Sequence, residues 1–230
     1  AGAEAGPVIY NDFYNHWNDD SSLEKDGQNP PDDVASWAYA ANSADAFGGV
    51  IGFDQSDNEL ATFSVIMSNW NGYDSSGGPG TATAAYDTDL TLELYKVDRS
   101  GTNPPVPGKS LGDFTKNQTI LPREMPVSGN ASFAGAGTDF VVEWNLGGLE
   151  VDDDLLFMVR VDELVDGSPT GTQPFDSLNI AAVATGDPID VTDPDVTVGN
   201  DPDEGVYWRS ETTGGEISRF EAGQVFARVT

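Results

Sequence analysis

Carboxylates dominate the side chains able to do chemistry in this chain. Asp187, Asp190, Asp193, Asp195, Asp201, Asp203 and Glu204 fall within DPIDVTDPDVTVGNDPDEG, residues 187–205, with no cation among them. Calcium takes clustered hard oxygens of this kind, about six to eight at a time. An EF-hand loop, however, fixes its ligands around an obligatory glycine, and that order is missing here. Pro188, Pro194 and Pro202 break the run into turns. A loop site of another geometry would have to use Asp193, Asp195, Asp201 and Asp203. The favoured reading is a solvated acidic surface joining two strands, with no metal ligand assigned. Asp152-Asp153-Asp154, between two strand patterns, reads as a charged hairpin turn.

Paired carboxylates on a concave sheet are the machinery of glycoside hydrolysis. Glu93 and Glu143 both sit mid-strand on polar faces, and Trp70 or Trp208 offers a sugar platform. With 39 acids in the chain some such pair arises by chance, so no catalytic residue is assigned. His16 is the only histidine, and it lies in NHWND without a nucleophile elbow elsewhere in the chain. A serine triad built on it is therefore not expected. Gly77-Gly78-Pro79-Gly80 is a flexible loop and lacks the pattern of a phosphate cradle. No cofactor is expected. Two sequons, Asn117-Gln118-Thr119 and Asn130-Ala131-Ser132, carry little weight because such triplets are common.

The elements that must hold these residues have a period of two. In LATFSVIM, one face carries Ala61, Phe63, Val65 and Met67; in LTLELY the inner face is Leu90, Leu92 and Leu94. Phe140, Val142, Trp144 and Leu146 line one face of DFVVEWNL. Leu155 to Val159 is apolar on both faces, as a central or doubly covered strand would be. Further strands are expected at Phe47 to Phe53, Phe114 to Ile120, Leu178 to Val183, Val206 to Trp208 and Gln224 to Val229. Breakers between them predict an all-β chain: an antiparallel β-sandwich or jelly roll of about eight to ten strands. That domain is placed at residues 46–230. Long connections at 71–86 and 162–176 are where a sandwich would carry binding loops.

Residues 1–45 form an irregular N-terminal arm rich in aromatics: Tyr10, Phe13, Tyr14, Trp17, Trp37 and Tyr39. A short first strand is expected at Val8 to Tyr10. Asp32-Asp33 is set to cap a short helix from Val34 to Ala41. These aromatics either cover one end of the sandwich, the favoured reading, or reach a neighbouring subunit.

Charge then fixes the environment. Of the 230 residues, 27 are Asp and 12 Glu against 6 Arg and 4 Lys, a net charge of −29. In dilute buffer that charge repels itself; in molar salt the screening length falls to about 3 Å and the repulsion fades. Disorder is not expected, since 38% of residues are hydrophobic and lie in strand patterns. Nucleic acid is not expected as a partner, because little here can neutralise phosphates. The chain has no cysteine and no apolar run long enough to span a membrane. Its opening, Ala1-Gly2-Ala3, fits both a trimmed initiator methionine and the small residues left by signal cleavage.

Pro174-Phe175-Asp176-Ser177-Leu178-Asn179-Ile180-Ala181 resembles the Tyr-Asp-Ser-Leu-Asn-Val-Ala signature of a family of secreted, surface-sorted bacterial β-sandwich proteins. Ile9-Tyr10-Asn11, Phe47-Gly48, the Val65 to Trp70 strand, Leu92 to Val97, Pro107-Gly108, Leu121 to Arg123 and Val198 to Asp201 resemble further landmarks of that family, in order. The resemblance implies a β-sandwich in an extracellular or structural setting and transfers no catalytic residue. By type the chain also resembles the single jelly-roll capsid proteins of haloarchaeal viruses, which pack side by side into capsomers. Together these imply a non-enzymatic shell subunit that associates with itself, located in the virion. The alternative is a secreted or cell-surface module binding carbohydrate through Trp70, Tyr73 and Trp208. A transfer from multimolar to low KCl is expected to unfold or dissociate the protein, followed by circular dichroism and sedimentation; an equally stable fold in near salt-free water would contradict the halophilic reading.

Overall fold

The computed structural model describes residues 8, 10–11, 35–39, 44–54, 58–69, 85–101, 104–120, 138–161, 178–183, 205–210, 215–220 and 224–230. All regular structure among them is extended, in two antiparallel sheets. The first holds β1 (Tyr10–Asn11), β2 (Ala35–Ala38), β4 (Asn58–Asn69), β7 (Thr138–Val151), β9 (Leu178–Val183), β12 (Gln224–Val225) and β13 (Ala227–Val229). The second holds β3 (Ala46–Gly52), β5 (Tyr86–Asp98), β6 (Val106–Ile120), β8 (Asp154–Val161), β10 (Val206–Arg209) and β11 (Ile217–Phe220). The chain is thus a β-sandwich.

Its pairing is nested. β5 pairs with β6, β4 with β7, β3 with β8 and β2 with β9, each pair enclosing the one before it in sequence. One long hairpin has been folded over, with successive pairs laid alternately in the two sheets. This gives the neighbour orders β2-β9-β4-β7 and β3-β8-β5-β6. β10 and β11 extend the second sheet beyond β3, and β1, β12 and β13 extend the first. β4, β9 and the C-terminal segment are each antiparallel to the other two. No flat sheet allows that, so the C-terminal segment turns at Phe226, splitting a strand expected as one piece.

Burial follows the alternation. Phe47 and Ile51 of β3, Phe63, Val65 and Met67 of β4, and Leu90, Leu92 and Leu94 of β5 are core residues. Val142, Trp144 and Leu146 of β7 and Leu155, Phe157 and Val159 of β8 complete its centre. The rings of Phe63 and Phe157 meet across the sheets at 4.9 Å. Hiding a side chain of this size stabilises the fold by roughly 1.5–3 kcal/mol. β8 is covered on both sides, since Leu156 and Met158 form a second buried cluster with Ala46, Val50 and Tyr207 on the outer face.

Several expectations are corrected. The segment expected as a helix from Val34 to Ala41 contains strand β2 paired to β9, and four residues held by a neighbouring strand need no helical nucleus. Its continuation puts Tyr39 in the core, where the hydroxyl donates to the Val159 carbonyl at 3.1 Å. β1 and β2 of the expected arm are therefore strands of the sandwich. In β4, Leu60 and not Ala61 enters the core, because the register to β7 shifts between Leu60 and Thr62. Gly147 and Gly148, with φ of 66° and 82°, supply the extra backbone opposite Ala61. The amides of Ala61 and Thr62 both donate to the Thr230 carbonyl, at 2.6 and 3.1 Å. Asp152-Asp153 does not turn a hairpin: it links β7 in one sheet to β8 in the other.

At Gly48 a Cβ would stand 1.7 Å from the Phe157 carbonyl oxygen, whereas at Gly49 the nearest atom is 3.5 Å away on the Phe157 ring. Gly48→Ala is expected to cost several kcal/mol or prevent folding, and Gly49→Ala no more than about 1 kcal/mol. Thermal unfolding in multimolar KCl compares the two.

Candidate functional site

The densest set of polar side chains among the described residues lies on the outer face of the second sheet. Alternation places Leu92 and Leu94 of β5 in the core, so Glu93 and Tyr95 point the other way. Arg160 of β8 and Arg209 of β10 reach the same face, and Asp45 precedes β3. The Asp45 amide donates to the Arg209 carbonyl at 3.0 Å and its carbonyl accepts from the Val161 amide at 3.1 Å, which fixes its position.

Glu93, only 2% exposed, is the hub. Arg209 grips it with both terminal nitrogens, Nη1 to Oε2 at 2.6 Å and Nη2 to Oε1 at 3.0 Å. Arg160 Nη1 lies 3.1 Å from Oε1, and the Tyr95 hydroxyl donates to Oε2 at 2.8 Å. Arg209 Nε also donates to Asp45 Oδ2 at 2.9 Å. Two carboxylates and two guanidiniums balance, which is how charges are tolerated under cover. Asp45 Oδ1 is buried with no hydrogen-bond partner among the described residues.

These contacts decide what Glu93 can do. Burial by itself raises the carboxyl pKa; hydrogen bonds from Arg209 and Tyr95 and the charges of Arg209 and Arg160 outweigh it and hold the group below the usual carboxylate range. Burial and the bond to Glu93 push the Tyr95 phenol up to about 12. A carboxylate so fixed has no proton to donate at neutral pH, and its oxygens are already engaged. The arrangement clamps β5 to β8, β10 and the entry to β3. It is a fastener.

Glu143 is elsewhere. It is exposed on the outer face of the first sheet, accepting from Ser64 Oγ at 3.3 Å. Glu93 and Glu143 thus occupy opposite exteriors of the sandwich and cannot flank one glycosidic bond. Trp208 packs against the core and stacks on Phe220, centroids 5.5 Å apart, which occupies ring surface that a sugar would need. Asn117 and Thr119 of the first sequon donate to Asp89 and Asp87 across the β5–β6 pair, at 2.8 and 2.7 Å. Asp152 pairs with Lys96 of β5, and Asp154 with Arg99 just beyond its end. The acidic run with Asp193, Asp195, Asp201 and Asp203, together with His16, Trp70, Tyr73 and Asn130, lies outside the described residues.

Asp45, Tyr95, Arg160 and Arg209 were not singled out from sequence. One signal was available: in a chain with six arginines, those placed on strands must find acids to pair with. Among the described residues no group of three or more His, Asp or Glu side chains is placed to hold a metal ion, and no helix is long and apolar enough to cross a membrane. Comparison with family models, curated proteins and solved structures yields no match.

Glu93→Gln leaves the largely buried Arg209 without the charge it shares with half-buried Arg160, and is expected to cost about 3 kcal/mol. The loss should be nearly the same at two high KCl concentrations, because buried pairs are little screened. Since the Glu93 carboxyl ionises more readily folded than unfolded, its contribution is complete above the ordinary carboxylate range and is lost as pH falls through the lower folded value. The acid limb of the stability curve, measured by denaturant unfolding, is therefore expected to be shallower in Glu93→Gln.

Proposed function

We propose that this chain is a structural protein adapted to concentrated salt, the major capsid subunit of a haloarchaeal virus. The observation that carries the reading is the pairing order. Four nested pairs laid as β2-β9-β4-β7 and β3-β8-β5-β6 support a jelly-roll reading of the sandwich, an architecture used by viral capsid and lectin domains. The net charge of −29 supports a setting of concentrated salt and argues against direct contact with nucleic acid. The clamp at Glu93 supports a rigid block, since it ties strands together without offering a reactive group.

A second reading keeps the fold and makes the protein a secreted or cell-surface module for carbohydrate or adhesion. Phe220, 39% exposed beside Trp208, favours it, because exposed aromatic faces stack on sugars.

Sedimentation velocity in multimolar KCl separates the two. Discrete oligomers or lattices are expected of a shell subunit. A protein that stays monomeric at high concentration and is retained on a polysaccharide column would overturn the shell reading in favour of the second.

A further inference from the structure

β6 and β7 are the longest strands among the described residues, at 15 and 14 residues. Each lies at a border: among the described residues β6 pairs only with β5, and β7 only with β4. A long border strand offers a row of amides and carbonyls to another strand, and a second copy of the chain carries the same two borders.

Side chains join the two borders across one flank of the sandwich. Alternation along β6 turns Thr115 and Asn117 out to solvent and Phe114, Lys116 and Ile120 inward. Phe114 and Ile120 pack with the core. Lys116 stands between them, opposite the core residue Leu90 of β5, where the pattern calls for a hydrophobe. Its Nζ crosses to β7 and donates to the Glu143 carbonyl at 3.1 Å. The next residue of β7 returns the bond: Trp144 Nε1 donates to the Leu90 carbonyl at 3.2 Å. Two reciprocal bonds therefore stitch one sheet to the other at this flank.

We propose that Lys116 closes this flank against strand addition by a second copy of the chain. An inward-facing lysine carries a charge that a continued sheet would have to bury, and its ammonium already engages a carbonyl of β7. The carboxylates so plentiful elsewhere could not take its place, since an ionised carboxylate has no proton to give a carbonyl. One of only four lysines in the chain is used here. The inference stands apart from the shell reading: a subunit guarded in this way makes its self-contacts through surfaces other than the β6–β7 flank.

A chain without cysteine allows a clean test. Asp113→Cys on β6 and Val141→Cys on β7, both at exposed positions, report contact between borders when treated with a bismaleimide in multimolar KCl, singly and mixed. Lys116→Met keeps the aliphatic stem and loses the donor. It is expected to raise the yield of cross-linked dimer roughly tenfold over the native background, the scale of one lost hydrogen bond to a charged group. Lys116→Arg, which keeps a donor, and Lys109→Met, which removes the same charge from an exposed position on β6, are expected to stay near the native yield. An equal rise in Lys109→Met would overturn the proposal in favour of overall charge. A folded Lys116→Met protein that cross-links no more than the native chain would overturn it too, as would strong cross-linking in the native background. Loss of the fold in Lys116→Met, read by circular dichroism, would assign the lysine to stability alone. Sedimentation of the native chain decides the shell reading separately.

Discussion

A strand presents its side chains to two sides, and water's rejection of hydrocarbon settles only one of them here. On β4, β5, β7 and β8 every second residue is aliphatic or aromatic, and these rows face one another to form the core. This two-residue alternation is the constraint behind the rest. It leaves the intervening residues outside, and it makes register decisive, since a slip of one position would exchange the rows. The bulge at Ala61 shows the cost of an exception. Two glycines with positive φ and two amides shared by one carbonyl are used to move a single side chain out of line.

The outer face of the second sheet is unusual because it is covered as well. Leu156, Met158 and Val50 lie there beside Glu93 and Asp45. Carboxylates placed beneath other atoms lose water, and two arginines restore the balance. Carboxylates left in water are open to screening by dissolved ions, whereas the pair at Glu93 and Arg209 lies beneath other atoms, where screening is weak. The molecule thus answers one problem, excess negative charge, in two ways according to depth.

Most strands were legible in sequence because alternation of Phe, Leu and Val against polar residues survives tertiary folding. β9 matches its expected limits, and β3, β4, β5, β7, β8 and β10 differ only at their ends. The first half of β6 was hidden by Pro107, Gly108 and Gly112, which suggest a turn but sit on a border strand where breakers are tolerated. The sequence around β2 reads as a helix because its capping residues are local signals, while its partner β9 lies far along the chain. The ion network was not legible as such. Asp45, Glu93, Arg160 and Arg209 come from four distant places in sequence, and only the strand order brings them together.

The nested pairing also orders the route by which such a sandwich assembles. Asp98 and Val106, the tightest partners of the β5–β6 pair, are 8 positions apart, whereas Ala35 and Ala182 of the β2–β9 pair are 147 apart. Loop closure costs least for the near partners, and each pair once formed shortens the effective loop for the next. Folding is therefore biased to start at the hairpin tip around residues 98–106 and to zip outwards, with the strands furthest apart in sequence docking last.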